Sequence, residues 1–325
     1  MQGLVVRTIQ GAMIAQPVPG DFQKGSVTTA ASIRASAAKD SIPDLHLPGI
    51  RDVLYKTAGI FQPDHELNKL EKRCQQRMKD LGVSSLRDYS EYLKARASGQ
   101  VETALLLNEI LVGDTGFFRG LPQLDALGKI VLPKLIAAKS KLPSRSIKIW
   151  SAGCSTGEEA CTLAITLLEA SSLLDGWTCT ILATDINEQA VEHARNGVYG
   201  IESILSLTPG VRQKYFLRDG DALSVCPPVR NLLSFQQLNL LDNCRMSSMS
   251  NIDVIFCRNV LAYFDMTAKA QVLEHFHNSL LPGGMLFLGP TESLFGVTTK
   301  FSLVHLPSAT AYAKAESQLA KKFLP

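Results

Sequence analysis

Two adjacent glutamates behind a glycine turn, with an aspartate at the end of the next apolar run, are well placed to hold a charged ligand. The glutamates close the stretch Ile147-Lys-Ile-Trp-Ser-Ala-Gly-Cys-Ser-Thr-Gly-Glu-Glu159. Ile147 to Trp150 is short, apolar and β-branched, and reads as a buried strand; Glu158 to Leu168 reads as a helix. Strand, glycine turn and helix start make the layout of a nucleotide-type site in an α/β sheet. Gly153 and Gly157 let the backbone approach a ligand closely, and the helix start offers unpaired N–H groups. The Gly-x-x-x-Gly spacing alone leaves a bare βα turn equally open. The paired acids narrow the ligand class. They would repel a dinucleotide pyrophosphate, but not a cation with ribose hydroxyls and an amino-acid tail. S-adenosylmethionine fits that description. Asp185 ends the run Thr180-Ile-Leu-Ala-Thr-Asp185, the place where an acid of a doubly wound sheet accepts hydrogen bonds from ribose.

The elements that must position these residues need a sizeable core, and 325 residues at 46% apolar content provide one. A net charge of only +3 argues against a general nucleic-acid-binding field. The seven cysteines form no Cys-x-x-Cys pair and no metal-ligand spacing, so no metal is expected, and their odd number suits a reducing cytosol. No apolar run approaches the ~20 residues of a membrane span.

Along the chain, residues 1–47 read as a weakly ordered extension, small and polar in its middle. An apolar, acid-free opening, Met1 to Ala15, also admits an interfacial or targeting helix. Residues 48–112 read as a bundle of about four helices. In the second, Leu67, Leu70, Cys74, Met78 and Leu81 share one face. That helix is basic, with Lys69, Lys72, Arg73, Arg77 and Lys79, which reads either as a solvated outer face or as a docking face for an acidic partner. Residues 113–135 read as a linking loop and helix. Their Gly113-Asp-Thr-Gly-Phe-Phe-Arg119 either plugs the bundle against the sheet or caps a ligand. Residues 136–314 read as the α/β sheet domain, with a small antiparallel insertion at about 208–238. Residues 315–325 read as a frayed tail.

Five motifs carry a resemblance: Thr115-Gly-Phe-Phe-Arg119, Ser151-Ala-Gly-Cys-Ser-Thr-Gly-Glu-Glu159, Ala183-Thr-Asp-Ile186, Asn239-Leu240 and Phe256-Cys-Arg-Asn-Val-Leu-Ala-Tyr-Phe264. In this order and spacing, residues 48–314 resemble the chemoreceptor glutamate methyltransferases of the CheR type. The resemblance implies a class I methyltransferase, with a Rossmann-like doubly wound sheet, an N-terminal helical domain and a small antiparallel β insertion. It implies S-adenosylmethionine as cofactor, held by Thr115, Arg119, Glu159, Asp185, Asn239, Leu240, Arg258 and Asn259. Arg119 and Tyr263 would receive the substrate carboxylate. Lys72, Arg73 and Arg77 would dock the acidic methylation region of a receptor. The expected partner is the cytoplasmic domain of a transmembrane chemoreceptor, with no nucleic acid, no membrane insertion and action as a monomer.

Two positions depart from the family. It often carries Asn two residues before the loop Thr, where this chain has Gly113, so one cofactor bond is lost or taken over by Asp114. Near the end, a Gly/His-Ser-Glu segment is replaced by Gly289-Pro-Thr-Glu-Ser293. Two other readings keep the cleft and change its use: methylation of another protein or a small acid, and a non-catalytic module that senses the cofactor or its demethylated product.

Overall fold

A computed structural model describes residues 44–111, 115–205 and 207–314; the extension, Gly113, Asp114 and the tail lie outside them. Four helices come first: α1 (Leu47–Ala58), α2 (Leu67–Leu81), α3 (Leu86–Leu93) and α4 (Ser98–Ile110). Their boundaries follow local chemistry. Ser85 caps α3 by accepting the Asp88 N–H, and left-handed glycines, Gly59 and Gly82, end α1 and α2. In α2 the apolar stripe Leu67, Leu70, Cys74 and Met78 is buried, at the spacing read from the sequence.

Next, α5 (Leu121–Ala126) continues through a π turn at Leu127–Val131 into α6 (Leu132–Lys139). This segment does more than link. Leu124, Leu127, Val131, Leu132 and Leu135 are buried in the core on one face of the sheet. Lys139 at its end bonds both oxygens of buried Asp253 at 2.9 Å.

The sheet domain then runs β1 (Ser146–Ala152), α7 (Glu158–Glu169), β2 (Thr178–Asp185), α8 (Glu188–Asn196), β3 (Val198–Gly200), β4 (Phe216–Asp219), β5 (Ala222–Val225), β6 (Leu233–Gln237), β7 (Ile252–Cys257), the helix Met266–Ser279, β8 (Leu280–Leu288), β9 (Phe301–Leu306) and β10 (Ala309–Lys314). Seven strands form one sheet in the order β6-β2-β1-β7-β8-β10-β9. The first five are parallel, while β9 and β10 close the edge as an antiparallel hairpin. Alternate residues of β7 and β8 feed two cores. Val254, Phe256, Met285 and Phe287 point to one, and Ile255, Cys257, Leu286 and Leu288 to the other, which they share with the helical bundle. This is the doubly wound methyltransferase architecture expected from the resemblance.

The insertion needs a correction. Its three-stranded sheet is β3-β5-β4, so it begins at Val198 rather than about 208. Leu233–Gln237 does not belong to it. That strand pairs in parallel with β2, from Ile181↔Leu233 to Asp185↔Gln237.

Candidate active site

From β1 the chain moves outward to β2 and β6, then returns to place β7 on the other side of β1. The strand order reverses there, and a ligand crevice opens beyond the carboxyl ends of the strands. The cleft at this point is lined by Thr115, Arg119, Glu159, Asp185, Asn239, Leu240, Arg258, Asn259 and Tyr263, together with Ala58, Ile60 and Leu111 from the helical side. Every cofactor and catalytic position expected from the sequence therefore meets in one cavity, although the positions span residues 115 to 263.

The glycine turn has a different logic from the one its composition suggests. Gly153 and Gly157 have φ of 85° and 96°, a region that side chains rarely adopt. A Cβ on Gly153 would meet Val260 Cγ2 at 2.3 Å, and one on Gly157 would meet Ala194 Cβ at 2.7 Å. The glycines let the turn pack against its own neighbours, which sets the position of the helix start behind it.

The two glutamates divide their tasks. Glu158 is buried and accepts the Thr156 hydroxyl at 2.7 Å and the Thr115 hydroxyl at 3.4 Å, tying the loop before α5 to the turn. Glu159 faces the cleft. It accepts the Ser151 hydroxyl at 2.6 Å and faces Arg258 Nη1 at 3.4 Å. Desolvation pushes its pKa up, and Arg258 opposes that shift.

Asp185 accepts the N–H of Ser155 at 2.8 Å on one oxygen and that of Asn187 at 2.9 Å on the other. Each oxygen keeps further acceptor capacity. Burial raises this pKa too, offset by those backbone donors. The neighbouring Asn187 caps α8 through the Ala190 N–H. Asn239 is committed elsewhere: its amide donates to the Thr57 carbonyl at 3.0 Å and its oxygen accepts the Leu241 N–H at 3.0 Å. It borders the cleft while fastening α1 to the sheet. The bridge between Ile60 and Phe264, and the Phe61 N–H to the Tyr263 carbonyl at 2.8 Å, complete that seam.

Phe117 neither plugs the bundle against the sheet nor caps the cavity. It is buried edge-on against Tyr199 and Phe216, with centroids 5.0 and 5.2 Å away, and so fixes the Thr115–Arg119 loop to the insertion. The Phe118 N–H donates to the Thr162 hydroxyl at 3.1 Å.

The basic face of α2 lies apart from the cleft and also needs a correction. Lys72 is exposed, and Arg73 reaches Glu109 at 3.6 Å. Arg77 turns inward. Its Nε and Nη2 hold both oxygens of Glu102 at 2.9 and 2.8 Å, and the Tyr89 hydroxyl donates to the same carboxylate at 2.8 Å. Glu102 is 2% exposed, and Arg77, which also reaches Asp80 at 3.0 Å, commits its guanidinium to acids of its own chain.

The cavity's chemistry fits S-adenosylmethionine. Asp185 suits ribose hydroxyls, Leu240 and Ile60 suit a flat base, and Glu159 suits a cation. Arg258, with a side-chain exposure of 9%, lines the cleft beside Glu159, and a guanidinium there suits an amino-acid carboxylate.

Comparison with known proteins agrees. Residues 113–310 match the CheR methyltransferase SAM binding domain, and residues 46–111 match the CheR methyltransferase all-alpha domain. Chemotaxis protein methyltransferase 2 of Vibrio cholerae is 33% identical over 84% of this chain and 94% of its own length. The chemotaxis protein methyltransferase of Escherichia coli is 32% identical over 81% and 89%. Chemotaxis protein methyltransferase 1 of Pseudomonas aeruginosa is 30% identical over 81% and 95%. The chain belongs to the CheR methyltransferase family.

Proposed function

We propose that this protein transfers the methyl group of S-adenosylmethionine to glutamate side chains of chemoreceptors, forming methyl esters. The observation that carries the reading is the single cavity in which the acids Asp185 and Glu159 face Arg119, Arg258 and Tyr263 at the reversal of the sheet.

Bound there, the cofactor would supply a methyl group activated by a cationic sulfur, the leaving group of an in-line displacement by the carboxylate. The residues divide the remaining work. Asp185 holds the ribose hydroxyls, Thr115 and Arg258 hold the methionine end, and Asn239 and Leu240 border the base. A glutamate substrate, with a pKa near ~4.3, is already ionised at neutral pH, so the site needs no general base. Arg119 orients that carboxylate by a charge-assisted hydrogen bond. Tyr263 gives a hydrogen bond to its non-attacking oxygen. Burial raises the Tyr263 pKa, which keeps the phenol protonated as a donor. Alignment in a dry cleft supplies most of the acceleration, of the order of 7–11 kcal/mol in favourable cases. Lys72 and Arg73 draw the acidic receptor surface to α2. Action in the cytoplasm, as a monomer, accords with this reading; among the described residues no helix is long and apolar enough to cross a membrane.

The test is methyl transfer from tritiated cofactor to a purified receptor cytoplasmic fragment. Base-labile label on receptor glutamates is expected, with Arg119→Ala lowering the rate about a hundredfold, the scale of a lost positioning contact. Label on another acceptor, or cofactor uptake without transfer, would refute the reading.

A further inference from the structure

The segment Gly289–Ser293 departs from the family pattern, and the roles assigned above leave it unused. Its Glu292 does not line the cleft. Its carboxylate nevertheless accepts three main-chain donors: the N–H groups of Gly289 and Asn259, each at 2.8 Å, and that of Ala262 at 3.2 Å. Gly289 directly follows β8, and Asn259 lies just past the end of β7. One side chain thus joins the ends of two neighbouring strands to the strip that follows β7.

That strip, Arg258 to Tyr263, carries four cleft-lining residues: Arg258, Asn259, Val260 and Tyr263. Asn259 stands at φ 60°, a left-handed conformation that is uncommon outside glycine and needs support from its surroundings. The Asn259 N–H bond to Glu292 supplies such support. Buried Gly289 leaves room for it, since a Cβ there would lie 2.8 Å from Glu292 Oε2 and 3.0 Å from the Asn259 nitrogen. Two oxygens shared among three donors also set the reach: Oε2 holds the strand ends and Oε1 holds the middle of the strip.

We infer that Glu292 is a positioning residue for methyl transfer, acting through the main chain of Asn259 and Ala262 to hold Tyr263 toward the substrate carboxylate and Arg258 toward the methionine end of the cofactor. The inference rests on the proposed function and adds to it a residue that never touches cofactor or substrate.

Glu292→Gln keeps the size of the side chain but turns one acceptor oxygen into a donor amide, which at least one of the three N–H groups must then face. Glu292→Asp keeps the charge but falls one methylene short. The full chain is assayed with saturating cofactor and receptor fragment, and active sites are counted by S-adenosylhomocysteine titration. Transfer per site is expected to fall at least twentyfold in Glu292→Gln and by an intermediate factor in Glu292→Asp. The receptor KM should stay within about fivefold of the parent and the S-adenosylhomocysteine affinity should fall by a smaller factor than transfer does, a split that a merely structural role would not produce. Exposed Thr291→Ala in the same turn should keep the parental rate. Parental transfer per site in either Glu292 variant overturns the inference, as does an equal loss in Thr291→Ala. Absence of transfer in the parent indicts the proposed function instead. Should Glu292→Gln fail to fold, the Glu292→Asp rate decides.

Discussion

At the carboxyl end of β2 the acid Asp185 is held by main chain; on α2 the basic side chains are held by other side chains or stand exposed. Asp185 is fixed by the amides of Ser155 and Asn187, in a turn whose path Gly153 and Gly157 permit. On α2, three basic residues within six positions go three ways. Lys72 faces solvent, Arg73 reaches α4 through Glu109, and Arg77 reaches inward to Glu102. A residue type predicts a role where the backbone has already chosen its direction. On a helix each residue turns by about 100°, so a position on the flank of the apolar stripe can serve either side. Arg77 is next to buried Met78 and three residues past buried Cys74, on that flank.

The largest effect expected from this difference is on stability. Arg77→Ala leaves Glu102 buried without its guanidinium, a loss of about 3–5 kcal/mol, visible as a lower urea midpoint. Transfer per folded molecule should be unchanged. The opposite pattern, a raised receptor KM with the midpoint intact, would put Arg77 back on the docking face and erase the contrast. Asp185→Asn should act first on binding: a loss of S-adenosylhomocysteine affinity of roughly 10–150-fold, the scale of about 1.5–3 kcal/mol for a hydrogen bond to a charged group, with a smaller fall in the midpoint because the new amide must face the N–H of Ser155 or Asn187. Calorimetric affinity within threefold of the parent would remove Asp185 from the site.

The same distinction explains what could be read from the chain alone. β1 and β2 were legible because buried parallel strands leave short apolar runs ending in glycine or polar residues. The four helices were legible from their periodicity. The edge strand Leu233–Gln237 was not, because Leu-Ser-Phe-Gln-Gln alternates as any half-covered strand does and its partner lies about fifty residues earlier in β2. β3 escaped because it has three residues and follows directly on the cap of α8. Within the site, the cofactor and catalytic positions that the resemblance implied all line one cleft. Residue identity could not reveal Glu292, which accepts three main-chain N–H groups, contacts that leave no mark in the pattern of side chains.

Acid should separate the cleft from its scaffold by sign. Burial raises the pKa values of Asp185 and Glu159 in the folded chain above their ordinary values of about 3.9 and 4.3. A carboxyl with a raised folded pKa contributes stability that is fully present below its unfolded pKa and is lost as pH rises through the folded one. Between neutrality and about pH 4, falling pH therefore eases the strain these two groups put on the cofactor-free protein. Cofactor binding needs them ionised and must weaken over the same interval. S-adenosylmethionine, with its extra positive charge, should lose more affinity than S-adenosylhomocysteine. Calorimetry stepped from pH 7.5 toward about pH 4 checks this, and an affinity that is flat over the whole interval or rises toward acid contradicts it.

The smallest effect belongs to the exposed part of α2. Lys72→Glu and Arg73→Glu remove long-range attraction for an acidic receptor surface, and contacts of exposed charges are each worth about 0.2–1 kcal/mol. The receptor KM should therefore rise only a few-fold per substitution, through the association rate more than through the lifetime of the complex. The Debye length is about 10 Å at 0.1 M salt and about 30 Å at 0.01 M. The difference between parent and variant should therefore be widest at low salt and close as salt is added. Maximal velocity and S-adenosylhomocysteine affinity should not move, since neither residue lines the cleft. Arg73 carries an extra term. Its partner Glu109 is 38% exposed, so reversal sets two acids together at an already hydrated edge and costs little stability. A variant pair that keeps the parental KM at low salt would show that the receptor approaches by another face, and the basic run of α2 would then be the solvated surface that its composition equally allows.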